Sequence, residues 1–268
     1  MCKLSTGLEL VLNASENLLQ IVVTDNETLL CFQEWNTPQK ATEILAPALQ
    51  EICAALRMRL RDFRRIACVR GPGSFTGIRL VLTTAAALRR ASRARLAGLD
   101  YMQALATSAT IGRQLLYGVP VCVLTHARRN LVHFRPFVSF GPQIPAQPTG
   151  QTTLCPPHDL VAEITAHAAV RQAYVCGSGL MRNAAVFETC GLPTGLCRMP
   201  ELVSPSVDAL RLLARHGDYF TNDIEPLYIR PCDALENLPL LAECQGMDSA
   251  VTTTTLKTML RRPPQSEI

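Results

Sequence analysis

Between an apolar run at 66–70 and a helical pattern that reaches about residue 91 stands the segment Arg70-Gly71-Pro72-Gly73-Ser74-Phe75-Thr76-Gly77-Ile78-Arg79. Three glycines and a proline so close together impose a sharp strand-to-helix turn, and this limits the fold more than any other stretch. The N–H groups and dipole at a helix start suit an anion. The spacing, however, departs from both common phosphate templates. No lysine follows the glycines as a P-loop requires, and Thr76 stands where a dinucleotide fingerprint has its third glycine. Two readings stay open: a phosphate cradle, or a structural turn capped by Ser74 or Thr76.

The helix after the turn is apolar nearly all round. One face carries Ile78, Val81, Leu82, Ala85 and Leu88, and the other Leu80, Thr84, Ala87 and Ala91. Such a helix is expected to be covered on two sides. One sheet covers only one of them. Thr83, Thr84, Ala86 and Ala87 are small enough to let another helix approach closely, so packing against the rest of the chain and a partner surface are both open.

Upstream, apolar runs at 8–12, 18–23 and 29–32 alternate with polar turns and predict a β-meander. Ala41, Ile44, Leu45, Ala48, Leu49, Ile52, Ala55 and Leu56 then recur at helical spacing, with Pro47 in a first turn or at a kink. The order through residue 91 is βββαβα. A weaker second copy follows: a hairpin from 119–125 and 131–138, a proline-rich irregular loop, helices near 159–170 and 207–215, and a strand at 173–176 running into Gly177-Ser178-Gly179. These elements predict a duplicated α/β architecture with lobes at 1–105 and 106–235 and a mobile tail at 236–268.

Composition removes several classes. At 48% hydrophobic and 18% charged the chain builds a core. A net charge of +4 is too mild to mark a nucleic-acid binder outright. No apolar stretch approaches the ~20 residues of a membrane span, and no signal-type core follows Met1. A cytoplasmic protein is expected. The eleven cysteines include no Cys-x-x-Cys pair and read as reduced core residues. The five histidines lack His-x-x-His or His-x-x-x-His spacing, so no metal ligand is assigned. Ser74 lies outside a Gly-x-Ser-x-Gly elbow, which leaves it a cap and not a nucleophile.

With the turn at 70–79 in hand, the chain resembles the TsaB (YeaZ) family, whose signature it carries there: Gly71, Pro72, Gly73, Ser74, Phe75, Thr76, Gly77 and Arg79. Two further elements follow in the right order. Val175-Cys176-Gly177-Ser178-Gly179 is similar to a family strand end. Ile224-Glu225-Pro226-Leu227-Tyr228-Ile229-Arg230 is similar to the Glu-Pro-x-Tyr-x-Arg element, carried by Glu225, Pro226, Tyr228 and Arg230. The resemblance spans about 4–230. It implies the two-lobed actin/Hsp70/sugar-kinase (ASKHA) fold and a non-catalytic subunit needed for threonylcarbamoyladenosine at position 37 of tRNA. The implied partners are a TsaD-like catalytic subunit and a TsaE-like ATPase, with tRNA met indirectly and no membrane. The implied docking surface is the pair of first-lobe helices, here about 41–60 and 76–91, including Ile78, Leu80, Thr83, Thr84 and Ala87. Without the partner, that surface favours a homodimer. No cofactor of its own is implied, and ATP or ADP is expected only at the junction with the partner.

The chain departs from the family where metal would be held. The first hairpin reads Asn13-Ala14-Ser15-Glu16 in place of Asp-Thr-x-Thr. The second reads His126-Ala127-Arg128-Arg129-Asn130 in place of Asp-Ala-Arg-x-Gly, and the family histidine after the third strand is Lys40 or absent. Both aspartates that could hold hydrated magnesium are gone, which weighs against phosphoryl chemistry. The competing readings are an ASKHA nucleotide-dependent transferase, a metallopeptidase-like enzyme, and direct RNA binding through arginines at 57–65 and 89–95. Phe75 is expected to pack. Arg79 is expected either solvated or free to meet a carboxylate or phosphate.

Overall fold

Alternation of side chains across two faces explains the first sheet. The computed structural model describes residues 7–36, 40–128, 130–170, 172–193 and 195–229. Strands β1 (Leu8–Asn13), β2 (Leu18–Asp25) and β3 (Thr28–Asn36) form the expected antiparallel meander. Strand β4 (Arg65–Val69) adds in parallel beside β1, and β5 (Arg95–Leu99) beside β4, giving the order β3-β2-β1-β4-β5. Every residue of β1 is buried. Leu10 and Leu12 face one core, while Val11 faces another, as a central strand covered on both sides requires.

Helices α1 (Ala41–Ala55) and α2 (Phe75–Ser92) cover the outer face through Leu45, Leu49, Ile52, Val81 and Ala85. Helix α1 stops short of the expected residue 60. Arg57 takes a left-handed φ of 52°, which breaks the helical run, and 60–62 form a separate single turn. Pro47 lies inside α1.

The inner face meets α3 (Tyr101–Gly112), an element that the hydrophobic pattern does not reveal, as β5 also is not. Nearly all of α3 is buried, so it shows no amphipathic stripe. Its far side packs on the second sheet, formed by β6 (Pro120–Arg128), β7 (Leu131–Val138), β8 (Gln147–Pro148), β9 (Thr153–Cys155), β10 (Ala173–Cys176) and β11 (Leu196–Met199). The order is β11-β10-β6-β7-β8, with β9 also on β7. The proline-rich stretch is therefore not wholly irregular: β8 and β9 pair with β7 because its outer edge is open to them.

Helices α4 (Leu160–Val170), α5 (Ser178–Arg182) and α6 (Ala184–Cys190) supply Leu160, Ile164, Leu180 and Phe187 to a third core on the outside of this sheet. Helix α7 (Val207–Arg215) joins α3 between the sheets, contributing Leu210 and Leu213. Both sheets thus place an antiparallel hairpin beside two parallel strands, which is the duplicated α/β architecture expected. Residues Met1–Leu227 form one compact unit that contains both sheets. The second unit begins at Tyr228, and of it 228 and 229 alone are described. The expected tail at 236–268 lies outside the described residues.

Candidate functional site

The signature turn is a structural turn built against the first hairpin. Ser74 caps α2, its hydroxyl accepting the Gly77 N–H at 3.2 Å, and its own N–H donates to the carbonyl of Ser15. A Cβ at Gly73 would overlap that same carbonyl, and one at Gly77 would overlap the carbonyl of Ala14. These two glycines let the turn at 71–77 close onto the hairpin turn at 13–17. Gly71 has a φ of 120°, and the Gly71–Pro72 peptide is cis. Of the two readings left open by spacing, the capped turn is the one built here. Thr76 is exposed and does not serve as the cap.

The hairpin turn reaches across to the second lobe. Ser178, at the start of α5, donates to a carboxylate oxygen of Glu16 at 2.6 Å and accepts the N–H of His126 at 2.9 Å. Gly177, whose N–H donates to Leu202, precedes it with φ 106°. Gly179 and Leu180 follow as buried residues. Asn13 is also buried. It donates to Gln20 at 2.7 Å and accepts the N–H of Ser15 at 3.0 Å. Burial pushes the Glu16 carboxyl up to about 7, against the opposing pull of the Ser178 hydrogen bond and the Arg182 charge. Burial, then Arg182, hold His126 below the usual histidine range.

These turns offer no pair of carboxylates for a magnesium-bound nucleotide. Glu16 stands between them, bonded to Ser178, one N–H at the α2 start is taken by Ser74, and the hairpin positions that would need carboxylates to hold magnesium carry Asn13 and His126. Among the described residues, no group of three or more His, Cys, Asp or Glu could hold a metal ion. No helix among them is long and apolar enough to cross a membrane.

The residues proposed for docking divide. Ile78 is only 1% exposed and belongs to the core under α2, so it is withdrawn from the outward face; its helical position turns it toward the sheet. Thr83 and Ala87 are exposed, while Leu80 and Thr84 are half-buried. Together they form the outward face. Phe75 is 45% exposed rather than packed. The Arg79 guanidinium lies 3.9 Å over its ring centroid, so Arg79 is exposed, in line with the solvated reading, and stacked on Phe75 instead of free.

The C-terminal element comes to the same place. Leu227 donates its N–H to Arg70 at 2.8 Å, Ile224 packs on the first core, and a Cβ at Gly71 would meet the Leu227 carbonyl. Pro226 is half-buried there and Glu225 is exposed. Tyr228 begins the second unit, and Arg230 lies outside the described residues. Sequence reasoning missed the Glu16–Ser178 contact. Both residues stood inside motifs already singled out, but nothing local signals that two turns 162 residues apart meet.

A family model described as TsaD, tRNA N6-adenosine threonylcarbamoyltransferase, matches residues 37–149, a stretch running from α1 to beyond β7. No curated protein matches the chain in sequence. Among solved structures, a protein described as having similarity to peptidase YEAZ from Pseudomonas aeruginosa superposes with a TM-score of 0.70 at 19% identity, covering 84% of this chain and 100% of that one. YeaZ from Pseudomonas aeruginosa gives 0.68 at 18%, covering 83% and 100%. A Bacteroides thetaiotaomicron protein described as having an actin-like ATPase fold gives 0.41 at 12%, covering 80% and 98%. The two YeaZ superpositions show that this chain has the YeaZ fold, and the threonylcarbamoyltransferase family match covers 37–149 of it.

Proposed function

We propose that this chain is a non-catalytic subunit in the formation of tRNA threonylcarbamoyladenosine, docking on a TsaD-like catalytic subunit through α1 and α2. A role in threonylcarbamoyladenosine synthesis is supported by the threonylcarbamoyltransferase family match and the YeaZ fold. The observation that carries the docking reading is the outward face of α2. Leu80, Thr83, Thr84 and Ala87 offer a small-residue, largely apolar stripe on the helix whose start is positioned by the signature turn. In this reading the protein is cytoplasmic, a TsaE-like ATPase joins the assembly, and the chain holds no cofactor of its own. ATP or ADP would sit at the junction with the catalytic subunit. Alone, the same face would pair two copies.

The test is co-elution with the TsaD-type protein of the same organism, followed by light scattering. A 1:1 species that Leu80→Glu disperses is the expected outcome, because the substitution would bury an unpaired charge in the contact. Separate elution of the two wild-type proteins, with nucleotide present and at several salt concentrations, would sink the proposal.

A further inference from the structure

The chain's positive charge is not spread evenly. The α1–β4 connection and the α2–β5 connection both arrive at the N-terminal ends of two adjacent parallel strands. Between them they carry Arg57, Arg59, Arg61, Arg64 and Arg65 on one side, and Arg93 and Arg95 on the other. The two sides meet directly: the N–H of Arg95 donates to the carbonyl of Arg64 at 2.9 Å. Two of the seven are neutralised. Arg59 pairs with Asp62, and Arg65 pairs with Glu9 while lying over the Tyr219 ring. Further along α2, Arg89 and Arg90 are both spent on Asp223.

Arg57, Arg61, Arg64, Arg93 and Arg95 remain. All five are exposed, and among the described residues none has an acidic partner. Beside them stands Phe220, 62% exposed although large and apolar. It is held at the open edge of β5 by two backbone hydrogen bonds with Leu96, the residue after Arg95. Five uncompensated guanidinium groups with an exposed ring, its backbone tied to the same strand edge, suit an RNA chain. Arginines take its phosphates, and an aromatic face takes an unpaired base. An acidic protein would use the charges but not the ring; an anionic membrane surface could use both, and the vesicle measurement below separates it from RNA.

We propose that this end of the first lobe, with Arg64, Arg93, Arg95 and Phe220 at its centre, is an RNA-binding surface that contacts a stem-loop directly. The choice of a tRNA stem-loop rests on the function proposed above; the surface does not. It lies at the opposite end of the parallel strands from the signature turn, so RNA and a protein partner on the outward face of α2 would be read by different residues.

Fluorescence anisotropy of the full chain with a labelled RNA hairpin bearing a single-stranded loop tests this, titrated at several salt concentrations. The triple variant Arg64→Glu, Arg93→Glu, Arg95→Glu is expected to bind at least about tenfold more weakly. Its dependence of log affinity on log salt should be shallower by about 2. Phe220→Ser should weaken binding severalfold with the salt slope unchanged, since it removes stacking and no charge. If the charge reversals disturb folding by circular dichroism, the corresponding glutamine triple variant replaces them. Wild-type chain that fails to bind the hairpin, a triple variant with unaltered affinity and slope, or binding to phosphatidylserine vesicles without binding to RNA would each overturn the proposal. Co-elution with the TsaD-type protein is read separately on the same variants. A triple variant that still docks but has lost RNA is the expected result. Loss of docking by Leu80→Glu with RNA binding retained would show the two surfaces to be distinct.

Discussion

The hydroxyl of Ser178 donates to the carboxylate of Glu16 at 2.6 Å, tying the turn of the first hairpin to the start of a helix in the second lobe. Ser178 gives its one proton to Glu16 and accepts the N–H of His126 on an oxygen lone pair. A carboxyl group held this deep takes up a proton more readily than in the unfolded chain.

That difference makes stability depend on pH in a definite direction. The folded-state value of about 7 exceeds the ordinary 4.5, so the folded protein keeps a proton that the unfolded chain has released. The contribution is fully present below about 4.5 and is lost as pH rises toward 7. The loss amounts to up to about 3 kcal/mol. Glu16→Gln removes the titration. Chemical denaturation at a series of pH values should show the wild type losing more stability than the variant between pH 5 and 8, and parallel curves would refute the assignment.

Gly73 and Gly77 should not tolerate alanine. Each new methyl would meet a backbone carbonyl of the 13–17 turn, which cannot rotate away as a side chain would. Either substitution should cost about 2–4 kcal/mol, read from the urea midpoint. Gly112→Ala, at the end of α3 with open space around it, is the control. It should be neutral or slightly stabilising.

Ile78 and Leu80 are two residues apart on α2 and should fail in opposite ways. Ile78→Ala empties a core site and should lower stability by about 2–4 kcal/mol while the folded protein still docks. Leu80→Glu changes a partly buried residue at the margin of the core and should cost less stability than Ile78→Ala, about 1 kcal/mol, while abolishing association. Equal association by both variants would remove α2 from the interface.

Arg135 on β7 pairs with Asp100 at 2.8 Å, and Asp100 in turn accepts the N–H groups of Met102 and Gln103 at the start of α3. Burial raises the Asp100 pKa against the pull of those hydrogen bonds and of Arg135. Arg135→Met leaves the carboxylate without its counter-charge. It should destabilise the protein by about 3 kcal/mol. Asp100→Asn in the Arg135→Met background should recover part of that loss, a coupling measurable by a double-mutant cycle.

Local chemistry was enough for much of this architecture. The meander, both outer helices of the first lobe, the hairpin at 120–138, the strand at 173–176 and the helix at 207–215 follow from apolar spacing and turn residues. Each of these elements has one face to bury or a run bounded by breakers. The turn at 71–77 was legible as a strand-to-helix junction, and its serine cap was one of two chemically sensible candidates. Other features depend on what lies far away in the chain. Helix α3 is hidden from periodicity because two sheets cover it. Ile78 is sealed in the core while Leu80 packs only at its margin, because the sheet reaches only one side of α2. Arg79 is stacked because its neighbour on the helix is left half-exposed. Glu16 reads as a hairpin residue until the second lobe closes over it. Burial and pairing are properties of the assembled layers, and no short window of residues carries the information that two distant turns will share one hydrogen bond.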